Sequence, residues 1–415
     1  MANTRNIYVY YDGEQVNSPT LMGILTCDHL RGKEIFSFEF ERSWLEDKRF
    51  RSFDPDLQMF GGKQYVPQDK ENFGIFLDST PDRWGRVLLE RKEAEMARLE
   101  NRKIKNLFEA DYLLGVFDGS RMGALRFKLD PSGDFLDNNS EMATPPWTSL
   151  RELENASLNL EDCPKVQQSK WLRMLVAPGS SLGGARPKAN VLDKDNNLWI
   201  AKFPSRKDRR NIGAWEAVCC EMARKSGITV SDFKIERFSD KYHTFLTKRF
   251  DRTREGKRRQ FTSAMTLLGY ADGEHSEGAS YLEIAEWIER NCMNVEENLM
   301  ELFKRIVFNI AISNCDDHLR NHGFIYSPKG WTLSPAYDLT PDPTGYGLKL
   351  NISETDNSLD YDLALSITSY LGINKEKANA IIKQVKGVVS DWRKTATLYG
   401  IHNSEQDIVE NAFRY

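Results

Sequence analysis

The sequence predicts an α+β chain with two lobes behind an N-terminal α+β domain. Three observations carry this expectation. Alternating strands and tight turns recur up to about residue 250, strand signals nearly vanish after Asp251, and amphipathic helix dominates residues 280–315 and 359–398. At 415 residues the chain is too long for one small core, so two or three domains are expected.

Taken in order, Ile7-Tyr8-Val9-Tyr10-Tyr11, a turn at Asp12-Gly13-Glu14 and Gly23-Ile24-Leu25 read as an opening hairpin. Ile35 to Phe40 alternates as a strand does. Thr80 is placed to cap a helix with Pro81 in its first turn, running to about Glu100. Phe108 to Val116 reads as a second helix and Gly123 to Phe127 as a closing strand, so residues 1–130 form the first domain. Residues 131–148 are polar and turn-rich, a linker. Residues 149–251 then read as a small β-rich lobe: a short helix from Ser149, a glycine loop at 178–188, strands Ala189–Leu192 and Leu198–Phe203, a helix from Ile212 to Ser226 stopped by Gly227, and a hairpin of Phe233–Phe238 with His243–Phe250. Residues 252–415 are expected to be an all-helical lobe.

Composition excludes several classes. Hydrophobic residues make up 40% and charged residues 28%, as in soluble globular proteins. A net charge of -4 leaves no global basic footprint for nucleic acid. Six scattered cysteines without a C-x-x-C pair argue for reduced thiols in a cytoplasmic protein. No secretory leader and no apolar run of membrane-spanning length is evident.

The chemistry concentrates in Asn314-Cys315-Asp316-Asp317-His318-Leu319-Arg320-Asn321 and in Ser334-Pro335-Ala336-Tyr337-Asp338. Phosphoryl transfer needs an Asp to accept the proton of an attacking hydroxyl. It also needs an Asn and a second Asp to hold the metal ions that bridge the phosphates. Alone, the cluster fits a polar turn equally well. Its upstream company decides. Gly183-Gly184-Ala185 lets backbone N–H groups approach phosphates, with Lys188 as a nearby charge, although the ending of a Walker motif is absent. Lys202, flanked by apolar strand residues, needs an anionic partner, and Glu216 in the next helix is the candidate. Lys248-Arg249-Phe250-Asp251 closes the sheet where a hinge would meet adenine, with Asp251 able to accept from a ribose hydroxyl. The basic runs Arg206–Arg210 and Arg252–Arg259 are expected to be solvated loops or a surface for an acidic partner.

These features resemble the HipA family of bacterial serine/threonine kinases, the toxins of HipB–HipA toxin–antitoxin pairs. The resemblance covers nearly the whole chain. It rests on Ser79 to Gly85, Asp118 to Phe127, Ser181 to Lys188, Lys202, Arg249 to Arg252, the Asn-x-Asp-x-His-x-x-Asn segment and Tyr337-Asp338. It implies a HipA-like, protein-kinase-like fold that uses ATP and Mg2+. Asp316 matches the catalytic base, and Asn321 and Asp338 match the magnesium ligands. His318 and Tyr337 match positions lining the nucleotide site, and Lys202 the ATP-anchoring lysine. Lys248, Arg249 and Phe250 match the adenine hinge. Gly183, Gly184, Ala185, Arg186, Pro187 and Lys188 match the phosphate loop, in which Pro187 lacks a backbone donor. Ser181, with Ser180 beside it, matches the autophosphorylated serine, whose added charge would repel the γ-phosphate. The expected partners are a HipB-like helix-turn-helix antitoxin, DNA only through that antitoxin, and a protein substrate such as an aminoacyl-tRNA synthetase. No membrane partner is expected. Asp317 receives no role and is expected to tolerate replacement. Alternative readings are a small-molecule or lipid kinase and a non-catalytic, antitoxin-bound adaptor.

Overall fold

The computed structural model describes residues 3–139, 144–162, 172, 174–176, 179, 184, 186–239, 241–271, 273 and 277–415. The chain divides into two compact units. One is Met1–Arg206 with Asp251–Thr262, the other Lys207–Phe250 with Ser263–Tyr415.

The first unit is built on β1 (Asn3–Tyr11), β2 (Thr20–Leu30) and β3 (Lys33–Phe40). Ile7, Val9 and Tyr11 point inward at strand period while Tyr8 and Tyr10 stay half-exposed. Arg31 and Gly32 both adopt positive φ, 50° and 82°, and so close a two-residue hairpin with Leu30 opposite Lys33. After α1 (Arg42–Glu46), β4 (Gln64–Tyr65) pairs with β3; after α2 (Gly74–Leu77), α3 (Arg83–Leu99) and α4 (Glu109–Leu114), β5 (Leu125–Lys128) pairs with β1. The antiparallel order is β4-β3-β2-β1-β5. Trp44 stacks on Phe50 at 3.6 Å under this sheet. The cap of α3 is Asp82, not Thr80. The Thr80 hydroxyl donates to the Phe76 carbonyl at 2.7 Å and so closes the preceding turn. Further on, α5 (Leu150–Asp162) precedes the hairpin of β6 (Lys188–Leu192) and β7 (Leu198–Lys202).

A buried charge cluster ties Asp251–Thr262 into this unit. Arg121 is fully buried, and its guanidinium donates to the carbonyls of Ser79, Val116 and Leu136 at 2.9, 3.0 and 3.1 Å. Burial pulls its pKa down to about 9, which still leaves it protonated at neutral pH. Arg258 donates to the Asp118 carbonyl and Arg252 to the Arg121 carbonyl, the latter at 2.8 Å. Both side chains are 9% exposed. This corrects the expectation for the run Arg252–Arg259: two of its arginines are interior, because Asp118 and Asp251 and several carbonyls receive them. Arg206 is exposed and paired with Asp162 at 2.7 Å, as a solvated loop residue is.

In the second unit, α6 (Ile212–Lys225) is capped by the Asn211 side chain and stops at Gly227, whose φ is 78°. The hairpin of β8 (Phe233–Glu236) and β9 (Thr244–Lys248) follows. β10 (Gln260–Ser263) belongs to the first unit up to Thr262, and from Ser263 the second unit continues with α7 (Ala264–Leu267), α8 (Tyr281–Asn291) and the 18-residue α9 (Val295–Ile312). The all-helical expectation is corrected next, since β11 (Gly323–Ser327) and β12 (Gly330–Leu333) form a hairpin. Four further helices, α10 (Tyr361–Ser366), α11 (Lys375–Ser390), α12 (Trp392–Leu398) and α13 (Asn403–Val409), complete it. Trp392 stacks on Phe413 at 4.3 Å in their core. Among the described residues, no helix is long and apolar enough to cross a membrane.

Candidate active site

The rigid element behind the site is α9, whose Leu302, Phe303, Ile306, Val307 and Ile310 are fully buried. It ends at Ser313 in the left-handed region, φ 47°, an uncommon conformation for serine. Besides the local turn bonds, two contacts from later in the chain hold it there. The Asp342 N–H donates to the Ser313 carbonyl at 3.1 Å, and Arg414 Nε donates to its hydroxyl at 3.1 Å. The reversed backbone sends Asn314 to Asp317 off the helix end, with Asp316 exposed and Asp317 buried.

Asp317 anchors this turn. Its Oδ2 accepts from Tyr281 Oη at 2.5 Å and Asn309 Nδ2 at 2.7 Å, and lies 2.8 Å from His322 Nε2. Asn314 Nδ2 adds a bond to Asn309 Oδ1 at 3.1 Å. The expectation that Asp317 tolerates replacement is therefore corrected. The carboxylate joins α8, α9 and the residue opening β11. Burial pushes its pKa up, but the facing His322 and the hydrogen bonds from His322 and Tyr281 outweigh it, and the net direction is downward.

On this base the chemical groups are arranged. Asn321 Nδ2 donates to the Asp316 carbonyl at 3.1 Å, and the Asn321 N–H to the His318 carbonyl at 2.8 Å. Those bonds occupy the amide nitrogen and leave the Asn321 side-chain oxygen as the group for a ligand. Tyr337 Oη donates to the Arg320 carbonyl at 2.7 Å, which brings the second motif onto the first. Phe250 stacks on Tyr337, ring centroids 5.8 Å apart. Asp338 follows directly in the left-handed region, φ 56°. The hairpin β11–β12 sets its position. Asn298 Oδ1 of α9 accepts from the Leu333 N–H at 2.7 Å, and Arg305 Nη2 donates to the Ser334 carbonyl at 2.5 Å. An amide oxygen and a carboxylate are hard donors that suit Mg2+. His318 is half-buried, and its Nδ1 has no hydrogen-bond partner among the described residues.

The other expected residues are distributed as follows. Ser180, Ser181, Gly183 and Ala185 lie outside the described residues. Gly184 has φ 84°, and its N–H donates to Asp82 Oδ2 at 2.6 Å. Arg186 is half-buried beside Pro187, whose carbonyl accepts from the Phe203 N–H at 2.9 Å. Lys188 opens β6 and Lys202 closes β7, both buried. Glu216 is buried on α6. Lys248 ends β9, its N–H donating to the Asp232 carbonyl at 2.8 Å, and Arg249 is buried after it. Asp251 is buried, with Oδ2 accepting from the Gly123 N–H at 2.9 Å and from Arg252 Nη1 at 2.6 Å. That is a different partner set from the expected ribose hydroxyl.

Sequence reasoning missed Tyr281, Asn309 and His322. Asn309 and Tyr281 sit in apolar helical patterns and give no local signal. His322, next to Asn321, was visible but had no partner to be read against.

Three comparisons bear on this arrangement. The model of the HipA-like C-terminal domain matches residues 180–392, more than half of the chain. A putative kinase of Haemophilus influenzae is 27% identical over 179 residues, 39% of this chain and 52% of that protein. The serine/threonine-protein kinase toxin HipA of Shewanella oneidensis is 24% identical over 273 residues, 58% of this chain and 60% of that protein. The chain thus spans between 52% and 60% of the length of these curated relatives. The solved complex of S. oneidensis HipA with HipB and its operator DNA superposes with a TM-score of 0.65 over 98% of this chain and 94% of that one, at 17% identity. The fold is thus α+β and HipA-like, the kinase-like class expected. The chain belongs to the HipA family.

Proposed function

We propose that the chain is an ATP-dependent serine/threonine protein kinase, the toxin of a toxin–antitoxin pair. The carrying observation is the hydrogen-bonded set that joins Asp316, Asn321, Arg320 and Tyr337 above the buried Asp317. Asp316 is exposed in the first of these linked motifs, and Asn321 and Asp338 belong to the same two motifs, which together supply the group types phosphoryl transfer requires. In this reading Asp316 accepts the proton of the attacking hydroxyl, while Asn321 and Asp338 hold Mg2+, which neutralises phosphate charge when bound. Phe250 and Tyr337 give an aromatic surface for adenine, with Lys248 and Arg249 as hinge backbone. Gly183 to Lys188 and Lys202 serve the phosphates. Asp251 is left out of ribose binding because its Oδ2 is engaged by Gly123 and Arg252.

The S. oneidensis complex contains HipB and operator DNA. By analogy the partner here is a HipB-like antitoxin that carries the DNA contact. The burial of Arg252 and Arg258 supports an indirect DNA role, since it removes two cations from the surface. The proposed substrate is a translation component such as an aminoacyl-tRNA synthetase, and Ser181 is the proposed autophosphorylation site. The protein would act in the cytoplasm.

Phosphoproteomics after induced expression, with Asp316→Asn as control, tests the proposal. New phosphoserine or phosphothreonine on a cellular protein and on the phosphate loop, absent in the variant, is the expected result. Transfer confined to a metabolite panel would replace the protein-kinase reading. Growth inhibition unchanged in Asp316→Asn would favour a non-catalytic adaptor.

A further inference from the structure

The segment Ser79 to Gly85 has no place in the chemistry above, although it is one of the most distinctive stretches of the N-terminal domain. Its position in the first unit gives it one. Asp82 caps α3 by accepting from the Arg83 N–H at 2.8 Å, and its other oxygen accepts from the Gly184 N–H at 2.6 Å. The Trp84 N–H, one of the first-turn donors that a helix cannot satisfy itself, donates to the Gly184 carbonyl at 3.2 Å. The Trp84 indole Nε1 donates to the Lys188 carbonyl at 3.0 Å. Three hydrogen bonds thus link the cap and first turn of one helix to the two ends of Gly184–Lys188, across about a hundred residues of chain.

The packing around them leaves no slack. Trp84 is buried. A Cβ on Gly179 would stand 2.7 Å from Leu88 Cδ1, 2.9 Å from the Lys188 carbonyl and 3.0 Å from Trp84 Nε1, so only glycine lets the chain pass α3 there. Gly184 itself has φ 84°, and both its N–H and its carbonyl are taken by α3. Both backbone polar groups of Gly184 are therefore held from outside the loop.

We infer that Asp82 and Trp84 are positioning residues of the nucleotide site: from the N-terminal domain they clamp Gly184 and Lys188, two residues of the phosphate loop. This rests on the reading of Gly183 to Lys188 as a phosphate loop. The Gly184 N–H belongs to the clamp and not to the ligand. The negative charge of Asp82 is oriented to the helix N-terminus, where it is stabilised.

The test uses the full chain. Trp84→Phe removes the indole donor and keeps the ring. Asp82→Ala removes the acceptor, and Asp82→Asn keeps one. Binding of a fluorescent ATP analogue with Mg2+, the KM for ATP and kcat are measured beside the thermal midpoint. Loss of the clamp is expected to raise KM and weaken nucleotide binding about five-fold in Trp84→Phe and Asp82→Ala, the size of one lost hydrogen bond, with kcat held in both; the midpoint is held in Trp84→Phe and falls modestly in Asp82→Ala, which also loses the α3 cap. Asp82→Asn should recover most of that loss. Nucleotide binding and KM unchanged or improved in Asp82→Ala and Trp84→Phe would overturn the clamp and leave the kinase reading standing. If the midpoint falls in both variants, wild-type binding restored by Asp82→Asn alone still supports the clamp, and its absence counts against it. A wild-type chain that binds no ATP would overturn the phosphate-loop reading, and the clamp with it.

Discussion

His322 Nε2 lies 2.8 Å from Asp317 Oδ2, with both side chains nearly excluded from solvent. The pair flanks Asp316 and Asn321, the two residues given roles in transfer and metal binding. A buried carboxylate with a facing imidazole and two further donors is satisfied as a set, and removing one member leaves the others without partners. Asp317→Ala is expected to lower stability by about 3 kcal/mol, the scale for leaving several buried hydrogen-bonding groups without their shared carboxylate. Urea denaturation measures it, and a loss below about 1 kcal/mol would return Asp317 to the tolerant position its sequence suggested.

The same carboxylate fixes the sign of a pH effect. Its folded pKa lies below the ordinary 3.8, so the stability it contributes is present above that value and is lost as pH falls through the lower, folded one. Asp54 in the first unit behaves oppositely. Burial raises it to about 6 despite hydrogen bonds from the Ile75 and Asp56 N–H groups. Its favourable term is therefore complete below 3.8 and is lost as pH rises through about 6. Carboxyl 13C titration should find Asp54 titrating near 6 and Asp317 still ionised below 3.8.

Asp316→Asn should abolish phosphate transfer while leaving ATP binding and the urea midpoint as in wild type, because Asp316 is exposed and its bond to Asn321 uses the main-chain carbonyl. A rate loss of at least about a hundred-fold is the expected size for a lost general base.

Gly345→Ala tests the loop beside the Asn314–Asp317 turn. A Cβ there would stand 2.1 Å from Cys315 Sγ, so the loop or Cys315 must move. A cost of about 1–3 kcal/mol is expected for such overpacking, read by urea denaturation, together with slower transfer.

Arg121→Met removes a fully buried guanidinium from three carbonyls. The Ser79 and Leu136 carbonyls lose this donor while the Val116 carbonyl keeps the Asp137 N–H, and a loss of about 2–4 kcal/mol is expected by the same assay.

How much of this was legible depended on whether partners lay nearby in sequence. Asp316, Asn321, Tyr337 and Asp338 stood out because their spacing is short and their residue types are unusual together, and the fold does bring the two motifs into hydrogen-bond contact. Asp317 looked idle because Tyr281 and Asn309, which define it, come from helices whose patterns read as plain core. The hairpin β11–β12 was hidden by strands of five and four residues placed among long helices. Thr80 looked like a cap because a threonine before proline is a good local signal, yet a backbone carbonyl of the previous turn claimed its hydroxyl. The run Arg252–Arg259 read as surface because nothing local shows that Asp118, far upstream, is waiting for it.

That last feature bears on how such proteins can be cut and recombined. The family match begins at residue 180, which suggests a portable C-terminal part. Yet Asp251–Thr262, inside the match, completes the charge cluster of the N-terminal domain. Deleting everything before residue 180 would take away Asp118, the Arg121 carbonyl and the Gly123 N–H, so that Arg258 loses its carboxylate and Arg252 keeps only its neighbour Asp251. Chimeras between relatives should therefore carry the 251–262 hairpin together with the N-terminal domain, across a junction that ordinary end-to-end splicing does not respect.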